Sequence, residues 1–349
     1  LIDTEELRLE DGRWEPAADL SGLAIPPTIH ALLAARLDGL PEGERTVIDT
    51  ASVSGLHFAG AALGALVEDD VRDQVHERLD ALIRRQLVRA GDPVADTDGE
   101  YRFAHVMIRD AAYTGLLKRS RARLHERFVR WADELERTTD RTAELEEVLG
   151  YHLEQAHRYL SELGPLDEHG VALGIDASER LASAGQRAYA RGDLPATTNL
   201  FRRASALLEV GHEARPRLHF QLALALREMG AREDADAAFA AAIDDAALLG
   251  NVGLETTARL ERLVTQYAAD PSTVECDIET EIGTYAVDLA NVGDEAGLAR
   301  AWLAIGDVRV VEARWGAAAD AAKRAIEHAR RAGDRTLEIR AAPNLAPCA

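Results

Sequence analysis

The sequence predicts a mainly α-helical chain, a small helix-and-hairpin module followed by an α-solenoid of helix pairs. Three observations carry that prediction. Hydrophobic residues make up 47% of the chain, yet aromatics are only 5% and much of the apolar share is Ala, the residue with the best helix propensity. Apolar residues recur at helical spacing along most of the length. In the second half, similar strings return at a period near 40 residues.

Taken in order, Leu7-Arg8-Leu9 and Arg13-Trp14-Glu15 flank Asp11-Gly12, a hairpin turn signal. Pro26-Pro27 opens a helix carrying Ile29, Leu32, Leu33, Leu37 and Leu40, since proline's missing N–H costs nothing in a first turn. After Pro41 the pattern predicts helices over 46–53, 61–67 and 71–83, the last with Arg72, Asp73, Glu77 and Arg84 on its polar face. Residues 87–90 and 101–104 read as strands about a polar loop, 91–99. Three helices and then a hairpin is the order of a winged helix. Helices are expected over 107–117, 124–135 and 146–160, with 166–173 as a bridge after the break at Gly164-Pro165.

From about residue 177 the strings GDLPATTNLFRRA, GAREDADAAFAAA and ARWGAAADAAKRA start at Gly192, Gly230 and Ala313. Each carries Phe or Ala nine residues on (Phe201, Phe239, Ala322) and Ala twelve on (Ala204, Ala242, Ala325). The small residue lets paired helices approach, and the large one fills the groove against the next repeat. The gap before Ala313 leaves room for one degenerate repeat, around 255–291. The array is expected to be tetratricopeptide-like.

The formal charge is −21, a field that repels nucleic acid and anionic membrane. No stretch is long and apolar enough for a transmembrane helix, and the two cysteines, Cys276 and Cys348, lack metal or disulfide spacing. Both points suggest a reducing, cytoplasmic setting without membrane attachment. The chain starts at Leu1 rather than Met, and Pro343 to Pro347 halts a helical pattern, so it reads as a piece of a longer protein.

The segment FAHVMIRDAAYTGLLKRSRARLHERFVRWADEL, 103–135, resembles the region after the ATPase core of bacterial STAND-type signalling ATPases. IPPTIHALLAARLDGLP, 25–41, resembles their junction between ATPase and winged helix, and GYHLEQAHRYLSELGPLD, 150–167, their lead-in to tetratricopeptide repeats. The likeness is strongest to the branch linked to adenylate/guanylate cyclase domains. It implies four segments: 1–40 as the tail of an upstream ATPase module, 41–118 as the winged helix, 119–176 as a helical linker and 177–349 as the repeats. It also implies that an AAA-like module binds ATP or ADP, that the winged helix closes over the nucleotide, and that the repeats sense a signal. This chain has no G-x-x-x-x-G-K-[ST] loop and no place for the cyclase metal aspartates, so no cofactor and no enzymatic activity are expected in it.

Within that resemblance His105, after the second wing strand, is the nucleotide-sensing candidate, with Arg109 in support. An imidazole N–H can donate to a phosphate oxygen; capping the helix that follows is the plainer role. Lys118, Arg119, Arg121, Arg123, Arg127 and Arg130 form the basic run. No aromatic platform interleaves them, so docking on an acidic neighbour explains the run better than nucleic acid does. His152 and His157, five apart, do not share a helix face, and a metal there is not expected. Glu68-Asp69-Asp70 and Asp244-Asp245 read as solvated caps. A concave repeat groove is the expected partner surface, with Tyr189, Arg227, Arg262, Tyr267 and Trp302 as lining candidates against ordinary packing roles.

The expected function is regulatory: repeats sensing a protein or small-molecule signal, and a winged helix switching an upstream ATPase module. A DNA-binding regulator of LuxR-linked type and a stand-alone repeat scaffold are the alternatives.

Overall fold

A computed structural model describes residues 7–10, 13–16, 27–91, 99–137, 142–270 and 277–345. Both cysteines, the hairpin turn at Asp11-Gly12 and most of the predicted wing loop lie outside the described residues. The chain is mainly α-helical and divides into two compact units, residues 1–140 with 158–165, and 141–157 with 166–349.

In the first unit β1 (Leu7–Glu10) and β2 (Arg13–Pro16) pair antiparallel, Leu7 opposite Pro16. Then follow α1 (Pro27–Asp38), α2 (Glu42–Ser54), β3 (His57–Ala59), α3 (Gly60–Leu66), α4 (Asp69–Arg72), α5 (Val75–Arg84), β4 (Val88–Ala90), β5 (Glu100–Phe103), α6 (Val106–Gly115) and α7 (Lys118–Glu136). The strands form an antiparallel sheet in the order β3-β5-β4. β3 is absent from the sequence reading, because three residues between Gly55 and Gly60 are too few to show an alternation. The single helix expected over 71–83 is two, since Gln74 sits at φ −103°, ψ 1° between α4 and α5.

The hairpin lies on the helices through a shared apolar core. Leu37, Ile48, Leu63, Leu79, Leu82 and Leu87 are each no more than 1% exposed, and Val88 and Phe103 join them. Phe58 meets Phe103 edge-on at 5.6 Å between ring centroids. Polar ties lock the rim. Glu44, buried at 5% exposure, accepts from Arg85 at 2.7 Å, and Arg45 bridges Asp38 and Asp49. Burial pushes the Asp49 carboxyl upward against the opposing pull of Arg45.

The second unit starts within α8 (Thr142–Ser161), whose last residues belong to the first. It continues through α9 (Glu168–Ala190), α10 (Leu194–Ala206), α11 (Arg215–Glu228), α12 (Arg232–Leu248), α13 (Val252–Ala269), α14 (Ile278–Asn291), α15 (Glu295–Val311), α16 (Trp315–Ala332) and α17 (Arg335–Ala341), then a 3-10 turn, Ala342–Leu345. α9 with α10, α11 with α12, α13 with α14 and α15 with α16 form successive antiparallel pairs. The expected bridge over 166–173 is overturned. Asp167 accepts the Gly170 N–H at 2.8 Å and caps α9, so those residues mostly form its first turns. Gly-Pro ends one helix here but leaves only a short link before the next cap.

The repeat positions read from sequence are the packing positions. Phe201, Phe239 and Ala322 are at most 2% exposed, and Ala204, Ala242 and Ala325 at most 1%. In three of the four pairs the turn takes a left-handed residue, supplied by Gly192 at φ 76°, Gly230 at φ 77° and, without glycine's freedom, Ala313 at φ 57°; most of the link between α13 and α14 lies outside the described residues. A second series runs between the pairs and was not read from the sequence. Gly250-Asn251, Gly293-Asp294 and Gly333-Asp334 each turn the chain, and the Asx side chain caps α13, α15 or α17. Seven residues past each cap, Ala258, Ala301 and Ala341 are fully buried.

Candidate ligand groove on the repeats

The inner helices of the second unit line a groove of about 1000 Å³. α9 contributes Gln186 and Tyr189, α11 Arg217, Phe220, Gln221 and Arg227, and α15 Arg300; α13 adds Thr257 and α17 Arg340. Phe201, Leu224, Leu254 and Leu337 also reach the groove, so its wall mixes apolar side chains with long polar ones.

Its floor is an ion triad. Glu261 on α13 is 6% exposed and accepts from Arg227 of α11 at 2.5 Å and from Arg300 of α15 at 2.7 Å, pinning three successive inner helices. Burial alone would raise the Glu261 carboxyl, but the two guanidinium groups outweigh it and hold it at about 2. Arg300 also stacks 5.4 Å from the Phe220 ring centroid. On the wall, the Tyr189 hydroxyl donates to Glu228 at 2.5 Å, and burial with that neighbouring carboxylate pushes the phenol up to about 12.

Of the five groove candidates, Tyr189 and Arg227 line it and three do not. Arg262 forms a two-pronged bond with Asp236 on α12, both contacts at 2.7 Å. Tyr267 packs with Leu260, Ile282 and Leu289, and Trp302 lies under Arg324, 4.4 Å from its ring centroid. The sequence shows which residues share a helix but not which face its neighbours cover. Glu261 and Arg300 escaped notice because Arg227, Glu261 and Arg300 are spaced 34 and 39 residues apart, on no fixed repeat phase.

Asp245 is no solvated cap. It is 8% exposed in the last turn of α12, bonded to His219 at 2.9 Å and near Arg215 at 3.5 Å. Burial outweighs that carboxylate and lowers the His219 imidazole below its ordinary value. His157 meets the Gly170 carbonyl through Nδ1 at 2.9 Å, and His152 is buried. Among the described residues no cluster of His, Cys, Asp or Glu could hold a metal ion, and no helix is long and apolar enough to cross a membrane.

In the first unit, exposed His105 caps α6, its Nδ1 accepting the Met107 N–H at 3.2 Å. That bond leaves Nε2–H as the free donor of the neutral ring. Arg109 instead turns inward, giving its Nε–H to the Ser52 carbonyl at 2.8 Å and stacking on Tyr113. Much of the basic run is committed within the unit. Lys118 pairs with Glu162, Arg123 with Glu68, and Arg127 donates to the Leu66 carbonyl. Arg121 stacks on Tyr113 and Tyr159, whose hydroxyls bond each other at 2.9 Å while Tyr113 also meets buried His125 at 2.8 Å.

No known family model matches the chain, and no curated protein matches it. Solved structures similar to it include a signal transduction ATPase with numerous domains and a tetratricopeptide repeat sensor from Pyrococcus horikoshii. Identity there is 13% and the TM-score 0.38, over 92% of this chain and 50% of that one. The chain thus spans half the length of that protein. Another is a Rap protein complexed with competence and sporulation factor, at 14% identity and TM-score 0.40 over 89% of this chain and 79% of that one. A third is aspartyl phosphate phosphatase F from Bacillus subtilis, at 12% identity and TM-score 0.39 over 85% and 77%. At such scores the architecture rests on this chain's own helices.

Proposed function

We propose that this chain is the regulatory, non-catalytic part of an ATP-dependent signal-transduction protein. Its repeats sense a ligand or partner, and its helix-and-hairpin unit acts as a switch on an upstream nucleotide-binding module. The observation that carries this reading is the groove: a wide cleft of mixed apolar and charged lining built by successive repeats, floored by the Arg227–Glu261–Arg300 ion pairs, with no nucleophile–base pair set for chemistry among the described residues that line it. Ligand binding would bias a two-state equilibrium by its differential affinity for the two states.

His105 suits the switch because its cap bond orients the ring and leaves Nε2–H exposed to a phosphate oxygen. Arg109 acts beneath it, tying α6 to the end of α2 through Ser52. ATP or ADP is bound by the upstream module in this reading. The test is ADP release from the full-length protein. His105→Ala should speed it roughly tenfold, the loss of one charge-assisted hydrogen bond; equal rates in wild type and variant would remove His105 from the switch. A coding sequence that starts just before Leu1, with no phosphate-binding loop upstream, would end the reading as a whole.

A further inference from the structure

We propose, building on the sensor reading above, that the groove binds a small organic anion. Its carboxylate or phosphate would be received by Arg300 and Arg227 beside the Phe220 ring, with Arg217 and Arg340 flanking.

The argument is an inventory of donors and acceptors. Four arginines line the groove. Arg227 and Arg300 reach Glu261 through Nη1 alone, with Arg227 Nη1 also near Thr265. Their remaining side-chain N–H groups have no acceptor among the described residues, and they are not among the atoms sealed from solvent. Two guanidinium groups share one carboxylate, so the floor keeps one positive charge. Arg217 and Arg340 are exposed and have no acceptor among the described residues.

The acids beside them bond neutral donors, and so keep their charge. Glu228 accepts from Tyr189, Asp334 from the Leu337 N–H, and Asp294 from the Gly297 N–H and Thr257. Glu213 alone stands open, at the exposed start of α11. The groove therefore sets spare guanidinium N–H groups among four charged carboxylates, and an anion is received at the Arg227–Arg300 pair beside Phe220 rather than along the whole wall. Planar two-pronged donors fit carboxylate and phosphate.

A small anion fits better than an acidic polypeptide. A polypeptide carries its charges past all of Glu213, Glu228, Asp294 and Asp334, whereas a small anion held at the arginine pair spans less of that acidic lining. Glu261 competes with any such ligand for the same two arginines.

Calorimetric titration of the purified chain with citrate and with inorganic phosphate tests this, at constant ionic strength, with trimethyl citrate as the neutral control. One equivalent of citrate or phosphate should bind and the triester should not. Arg300→Gln should weaken binding roughly tenfold. Because Arg300 also ties the floor, the exposed Arg340→Gln and Arg217→Gln serve as variants that leave the fold intact, and each should weaken binding severalfold. Glu261→Gln, if it folds by circular dichroism, should tighten it by freeing both guanidinium groups. The proposal is overturned if neither anion binds, if the triester binds as well as citrate, or if both exposed-arginine variants bind like wild type. An acidic peptide that binds where citrate and phosphate fail would also overturn it while leaving the groove a sensor. Anion binding that leaves ADP release from the full-length protein unchanged would instead support the site and sink the sensor reading.

Discussion

Around Leu63, Leu79 and Leu82 the first unit closes on large aliphatic side chains gathered from five helices and a small sheet. Around Ala204, Ala223 and Ala242 the second unit brings helices together on small ones, leaving Phe201, Phe220 and Phe239 to fill the gaps between pairs. Charge follows the same division. The first unit commits much of its basic run to its own carbonyls and carboxylates. The second keeps arginine donors spare along its inner helices. The first unit also carries a cleft, lined by Arg72, Arg127, Arg130 and Trp131 where α7 meets α3 and α4, whereas a stack of alanine-paired helices has its core between neighbours and presents an inner face along its length. Similar helical content thus yields a module cored on large side chains in one half and a repeat array with an inner groove in the other.

The largest expected effect breaks the second unit at its floor. Glu261→Ala leaves two arginines without their carboxylate and should cost about 3–5 kcal/mol, read as a lower unfolding midpoint for 166–349 by hydrogen exchange. The same pin sets a pH dependence. The Glu261 carboxyl is depressed from 4.5 to about 2 in the folded chain. Its stabilisation is therefore complete above pH 4.5 and lost as pH falls from there toward 2. Glu261→Gln should flatten that acid limb while leaving the first unit's profile unchanged.

Packing substitutions of opposite sense sharpen the contrast. Leu82→Ala opens a cavity in the first unit and should cost about 2–5 kcal/mol in chemical denaturation. Ala242→Leu, enlarging a fully buried alanine between paired helices, should cost about 1–3 kcal/mol in the second. If Ala242→Leu were neutral, the alanine contacts would not be the close ones described.

The smallest effect concerns a single turn. Ala313 holds a left-handed backbone where Gly192 and Gly230 stand in the equivalent turns. Ala313→Gly should stabilise the repeats by up to about 1 kcal/mol in thermal unfolding, relieving that strain.

Much of this was legible in the linear pattern. The helices, the strands β4 and β5 and the spacing that buries Phe201, Phe239 and Ala322 follow from local periodicity, and the second repeat could have been found from its Gly-Asx dipeptides and the Ala seven residues on. Other features have no local signal. β3 exists because β5 offers it an edge, and Asp245 is buried because His219 and Arg215 arrive from α11. Arg262 looked like a groove residue until Asp236 claimed it.

What the sequence determined alone is the kind of chain: helical, alanine-rich, turned by Gly at repeated intervals, acidic overall and without the motifs of a catalytic core. Which arginines face a ligand and which are consumed by a neighbour was decided by the tertiary structure. Ion pairs form between helices tens of residues apart, and their partners depend on helix rotation and crossing, which composition and spacing do not encode.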